Sequence, residues 1–368
     1  MLVAEPAGRV VTGVPMLDGE QHVDRAALAR YAGDPSALGG VRAVQLTDGA
    51  ERGLRVLEFR TGSGLSFDVL VDRAMDIGAA EFRGCRFGWT SATGLRHPSL
   101  HEYGDENGLS MLRSFSGLLL TAGLDHALGA AEVDANRYGY PRRATTWNAQ
   151  HGRAANLPAR LHGYGEQWRG DRCVLWAEGE VRQAAIFGEH LRMTRRIEGD
   201  LNGVEIRLVD TVRNHGFDPT PHMYLYHVNV GWPLLDEGAR YEAPVARTVW
   251  QSESVTRQGV SREVMPGPLP GFVEQVYEHE VTPDPDGKVR ARVVNDRLGC
   301  FFEVEYDPAE FPVYLQWLHL REGAYVVGIE PSTHHVQGAE AAYEDGSMIF
   351  LGPGEERVYH VTFRVGRV

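Results

Sequence analysis

Period-two alternation runs through most of this chain, and almost no long helical period competes with it. Residues 204–213 alternate Val204, Ile206 and Leu208 with Glu205 and Arg207, then stop at Asn214-His215-Gly216. Residues 358–365 set Tyr359, Val361, Phe363 and Val365 on one face. The runs 54–60 and 65–71 flank Thr61-Gly62-Ser63-Gly64, a hairpin pattern. The 43 glycines and 19 prolines fall between apolar runs, as many turns require. Together these features specify an all-β chain, a large antiparallel β-sandwich with few short helices. A propeller would show a repeat, and none is present.

One amphipathic helix is expected over 25–31, with Asp24 as its cap and Gly33-Asp34-Pro35 as its stop. A shorter helix is expected over 107–113. We read residues 1–36 as an N-terminal extension carrying the first helix, and residues 37–368 as one domain. The Pro- and Gly-rich stretch 265–271 reads as a long loop inside that domain.

Charge and composition remove several functions. The chain carries 37 basic and 50 acidic residues, a net charge of -13, which disfavours nucleic acid and anionic membranes as partners. Lys288 is the sole lysine and sits in the turn Asp286-Gly287-Lys288, so a buried Schiff-base lysine is not expected. No phosphate-binding Gly-rich loop with its lysine is present. Cys85, Cys173 and Cys300 are odd in number and lack metal spacing, as for reduced core thiols in the cytoplasm. The opening Met1-Leu2-Val3-Ala4-Glu5-Pro6 has no apolar signal core, and no stretch is long enough to span a bilayer.

The polar residues inside strand-like runs are the candidates for chemistry. In the run 224–230, alternation puts Leu225, His227 and Asn229 on one face, followed by Gly231-Trp232-Pro233. A single histidine there reads equally as a satisfied core residue. Glu330 ends the apolar run 325–331, where a carboxylate is costly unless paired or exposed. His334 and His335 follow it. His151-Gly152-Arg153 is a loop cluster, His126 ends the run 117–125, and Arg73 and Asp76 punctuate Val71-Asp72-Arg73-Ala74-Met75-Asp76-Ile77-Gly78.

The order of these motifs resembles the aldose 1-epimerase (galactose mutarotase) superfamily, and more closely its epimerase-like branch. It runs from the Asp-Arg-x-Met-Asp-Ile-Gly segment through His-Gly, a strand His and a late strand Glu to the closing turn Leu351-Gly352-Pro353-Gly354-Glu355. The likeness spans residues 37–368. It implies a β-supersandwich that binds a sugar in a cleft and uses no cofactor. By motif it implies Glu330 as general base, His227 as general acid and His151 as the second histidine holding the sugar. The family's Asn-Arg-Ile segment is not recognisable, and residues 117–126 stand in its neighbourhood. Its sugar-binding Asp has no clean match; Glu274 is in about the right place.

Ring opening of a pyranose removes a proton from the anomeric hydroxyl and delivers one to the ring oxygen. A carboxylate and an imidazole on opposite sides of the ring could do both. Arg73 and Arg153 would grip hydroxyls or, with Arg113, an acidic group. Trp232 and Trp317 would stack on a sugar face. Asp76, His126 and Asn229 complete the expected binding set. Three alternatives stand beside it: a metal-dependent isomerase or lyase with His126, His151, His227 and Glu330 as ligands, a non-catalytic carbohydrate-binding domain, and, more weakly, a glycosidase, for which Glu330 has no nameable partner acid. The oligomeric state is open, a homodimer included.

Overall fold

Alternation becomes antiparallel pairing throughout. The computed structural model describes residues 25–135 and 144–368, and between its strands every pairing is antiparallel. Eight strands form the largest sheet, from Arg240–Glu242 at one edge to Ala159–Arg169 at the other. A six-stranded sheet runs in the order Val245–Gln251, Gln275–Val281, Val313–Arg321, Ala324–Ser332, Leu225–Gly231, Leu119–Ala122. A five-stranded sheet built from Gly40–Gln45 to Cys85–Arg86 flanks them.

The two largest sheets share one core. Ile197, Leu208, Phe302 and Phe363 of the eight-stranded sheet cluster with Tyr226, Val228, Tyr314 and Ile329 of the six-stranded one. Burying such side chains contributes roughly 1.5–3 kcal/mol each, which makes this apolar layer the main support of the fold. Because neighbours along a strand point oppositely, the six-stranded sheet has a second face. It carries Leu120, His227, Val326, Glu330, Leu315, Trp317 and Val276, and several of these form a separate small cluster with Trp89, Met111 and Phe115.

A buried ion network ties the three sheets together. Arg195, fully buried, gives two hydrogen bonds to Asp210 (2.8 and 2.6 Å) and one to Asp76 (2.7 Å). Asp76 also accepts from the Thr121 backbone and hydroxyl. Tyr224 and Tyr226 donate to Asp210. Every carboxylate in the network is paired, as burial demands.

The first helix, Arg25–Tyr31, lies where the periodicity puts it. Its expected cap, Asp24, and the opening Met1 to Pro6 lie outside the described residues. The second expected helix is instead two 3₁₀ turns, Asp105–Gly108 and Ser110–Arg113. Glu106 (φ 53°) and Asn107 (φ 56°) are left-handed there, which breaks any α ladder. Lys288 sits in its turn and pairs with Asp307 at 3.0 Å. No helix among the described residues is long and apolar enough to cross a membrane.

Candidate active site

Strand register assembles the site. Val228 faces Ile329, so His227 lies beside Glu330 one step on. His227 also faces Leu120 on its other side, and Glu330 faces Leu315. One row across the sheet therefore reads Leu120, His227, Glu330, Leu315. The next row holds Asn229, Gly328, Trp317 and Val276. His227 Nε2 lies 3.2 Å from Glu330 Oε1, with both side chains about nine-tenths or more buried. The two residues expected to be acid and base are thus neighbours on adjacent strands.

The glycine in the second row makes room for this pair. A Cβ on Gly328 would come within 2.4 Å of Glu330 Oε1 and 3.0 Å of the Trp317 Cβ. Beneath it, the Gly328 carbonyl accepts from Tyr241, whose hydroxyl also bonds Tyr314.

His151 arrives from outside the sheet. It adopts φ 59°, a left-handed conformation uncommon for a non-glycine residue. Its amide bonds the Leu128 carbonyl at 2.8 Å, and its carbonyl accepts from Gly123 at 3.1 Å. A Cβ on Gly152 would sit 2.2 Å from the His126 carbonyl oxygen and 2.3 Å from that of Gly123. The His-Gly pair is therefore the sequence trace of a tight loop locked against the strand end. The His151 ring meets that of His227 edge-on, centroids 5.2 Å apart.

These three groups open on a cavity of about 750 Å³. Trp89, Phe115 and Trp317 form its aromatic wall, with Trp89 and Trp317 edge to face at 6.3 Å. Trp317 Nε1 donates to Glu274 at 2.9 Å, which fixes both side chains at the rim. Ser91, Thr93, Gln150 and His319 add polar lining. His151 Nδ1, His227 Nδ1 and Glu330 Oε1 are buried and accept or donate no hydrogen bond within the protein. Such orphaned polar atoms in a cavity are what a bound polar ligand would satisfy.

Burial sets the protonation states. The Glu330 carboxyl is pushed up to about 8 by burial, reinforced by the Glu274 carboxylate. His151 falls to about 4 through burial and the nearby His126. His227 is held well below its ordinary value by burial and by His151, while Asn229 pulls the other way. Near neutral pH these shifts keep the proton on the Glu330 carboxyl and leave His227 a neutral imidazole.

Several expected binding residues lie elsewhere. Asp76 serves the core network. Arg73 is buried and turns inward, donating to the Ser114 carbonyl at 2.7 Å. Arg153 stacks on the Tyr103 ring at 3.4 Å, and Arg113 pairs with Glu106. His126 bonds the Gly129 carbonyl at 2.9 Å and stands behind His151. Asn229 shares the His227 face; its amide nitrogen donates to the Gly117 and His227 carbonyls, and its Oδ1 is buried without a partner. Trp232 is 68% exposed beyond the strand end, so it stacks on nothing in the cavity. His335 pairs with Glu278, and His334 with Thr333. No group of three or more His, Cys, Asp or Glu among the described residues could hold one metal ion. His126, His151, His227 and Glu330 therefore do not assemble as a ligand set.

The family model for a domain of unknown function (DUF4432) matches residues 51–365. The chain belongs to the DUF4432 family. No curated protein matches the sequence of this DUF4432 member. Solved structures show its fold. It is similar to a putative aldose 1-epimerase from Klebsiella pneumoniae subsp. pneumoniae MGH 78578, with TM-score 0.79 and 23% identity over 88% of this chain and 83% of that one. A galactose mutarotase-like protein from Clostridium acetobutylicum gives TM-score 0.60 and 12% identity, over 89% and 98% of the two chains. The galactose mutarotase related enzyme from Lactobacillus acidophilus gives 0.53 and 12%, over 82% and 94%. The DUF4432 chain thus has the all-β galactose mutarotase-like fold.

Proposed function

We propose that this DUF4432 protein is a cofactor-independent aldose 1-epimerase acting on an uncharged sugar. The observation that carries the reading is the His227–Glu330 pair, which holds one proton at the floor of a cavity walled by tryptophans. The anomeric hydroxyl and the ring oxygen of a pyranose share one carbon, so two adjacent groups can serve both. Glu330 gives its proton to the ring oxygen as His227 Nε2 takes the hydroxyl proton, and the C1–ring-oxygen bond breaks to leave the open aldehyde. One proton enters the pair and one leaves it, so no net charge is carried into the cavity. Rotation about C1–C2 presents the other carbonyl face. On closure Glu330 is the base and His227 the acid, the roles implied by the family resemblance. His151 hydrogen-bonds sugar hydroxyls, and the Trp317 and Trp89 faces pack on sugar C–H groups.

The lining supports an uncharged substrate. Among the described residues around the cavity there is no arginine or lysine, whereas Glu274 and Glu330 are both present. A phosphate or carboxylate on the sugar would have no cation to meet and would be repelled by Glu274. Polarimetry of freshly dissolved anomers tests this reading. Mutarotation of one or more neutral aldoses should accelerate, while hexose phosphates and uronates stay at the spontaneous rate. Acceleration confined to the anionic sugars would refute the assignment of substrate class.

The Glu330 proton also fixes the pH dependence. The active pair carries one proton, so kcat/KM should fall as pH rises through about 8, where Glu330 ionises. The acid limb should lie well below the usual histidine range, because His227 resists protonation. A pH–rate profile that instead rises through pH 8 would show that the fully deprotonated pair is the catalyst.

A further inference from the structure

We propose that the face formed by residues 184–190 and 215–221, with Tyr343 and Phe350, binds a second copy of this chain in a two-fold homodimer. The turn joining Arg172–Ala184 to His190–Asp200 puts Ile186 and Phe187 at its tip, 90% and 60% exposed. The turn after Glu205–Asn214 carries Phe217, 94% exposed. Beside these tips, Tyr343 of the helix Gly338–Asp345 and Phe350 of the strand Ile349–Leu351 meet edge to face at 6.1 Å. Tips and rings together line a cavity of about 800 Å³ that shares no lining residue with the sugar cavity.

Solvating so many large apolar side chains in one place is unfavourable, and a contiguous patch of this kind marks an interaction surface. Its size points to a protein partner. With Phe187, Phe217, Tyr343 and Phe350 at 60%, 94%, 37% and 47% exposure, and ~200 Å² for a fully exposed ring side chain, the four offer about 500 Å². A stable protein–protein contact buries about 800 Å² on each partner, within reach once Ile186, Pro219 and Pro221 are added. Charge narrows the partner further. The cavity lining carries Asp125, Glu189 and Asp218 and, among the described residues, no lysine or arginine; Arg192 bonds His190 at the rim, so an anionic partner meets mostly like charge. A second copy supplies a matching surface, because the exposed Ile186, Phe187 and Phe217 themselves line the cavity and each copy presents the same apolar side chains. Under a two-fold axis each tip meets the other copy's cavity, and both contacts form at once. The rim fits this arrangement, because it offers both histidines, His190 and His215, and acids, Glu189 and Asp218, for pairing across the axis.

Sedimentation velocity on the full chain tests the proposal. The native protein should sediment at twice its 40.8 kDa chain mass at micromolar concentration. The double variant Ile186→Asp/Phe217→Glu alters exposed tips only, so it should keep the native circular dichroism and anomerase rate. It should sediment as a monomer, with association weakened at least about 100-fold. A native chain that stays monomeric up to about 100 µM overturns the proposal, as does a double variant that dimerises like the native protein.

Discussion

Glu330→Gln is expected to lower the anomer-exchange rate by roughly 10²–10⁴-fold, the usual worth of a positioned general acid–base group. The amide matches the carboxyl in shape but passes no proton, so substrate affinity should change little. A parallel stability measurement separates chemistry from folding. The folded-state value of Glu330 is about 8 against 4.5 for the free side chain, so between those values the folded protein holds a proton that the unfolded chain has lost. Stability from this group is fully present below about pH 4.5 and is lost as pH rises through 8. The glutamine variant has no such proton. Native thermal stability relative to Glu330→Gln should therefore decline from pH 5 to pH 8, by a few kcal/mol in all. A difference that does not vary with pH would mean that Glu330 is ionised in the fold, and a mechanism in which Glu330 delivers the first proton would then be wrong.

Gly328→Ala should be nearly as damaging without touching a reacting atom. The new methyl would compete for the place of Glu330 Oε1, which lies 2.4 Å from the built Cβ position. The strand cannot retreat easily, because Gly328 is paired on both sides with Asn229 and Trp317. The carboxyl must turn instead, and a displacement of about 1 Å in a catalytic group can cost 10²-fold. A loss of at least about 10² in kcat is expected, together with a shift of the alkaline limb as the His227–Glu330 contact is broken. An unchanged limb with lowered thermal stability would assign Gly328 a packing role only.

How much of the fold and the site is legible in the sequence follows from the range of the interactions. Alternation is local, so the strand around Tyr359 to Val365 and the shared face of His227 and Asn229 were legible. Glu330 was legible because a carboxylate at the end of an apolar strand breaks the pattern. The Asp76 role was not, since its partner Arg195 lies 119 residues away and nothing local announces the pair. Nothing local separates an arginine that grips a substrate from one that does not: Arg153 stacks on the Tyr103 ring, while Arg73 donates to the Ser114 carbonyl and keeps Nε and Nη1 buried without a partner. Trp89 gave no signal because its place depends on Gly231, a position where a Cβ would lie 2.9 Å from the Trp89 Cα. The cysteines show the same limit. Cys85 and Cys300 are far apart in sequence, yet their sulfurs lie 3.6 Å apart as free thiols.

If His227 and Glu330 move protons at the anomeric centre of a neutral sugar, anomer exchange depends on both side chains. Magnetisation exchange between α and β anomers by proton NMR, at pH 7 with a panel of neutral aldoses, tests it most directly. Exchange well above the spontaneous rate is expected for at least one sugar, largely lost in both Glu330→Gln and His227→Ala. Exchange that persists undiminished in the two variants, or none for any aldose with the native protein, would contradict it.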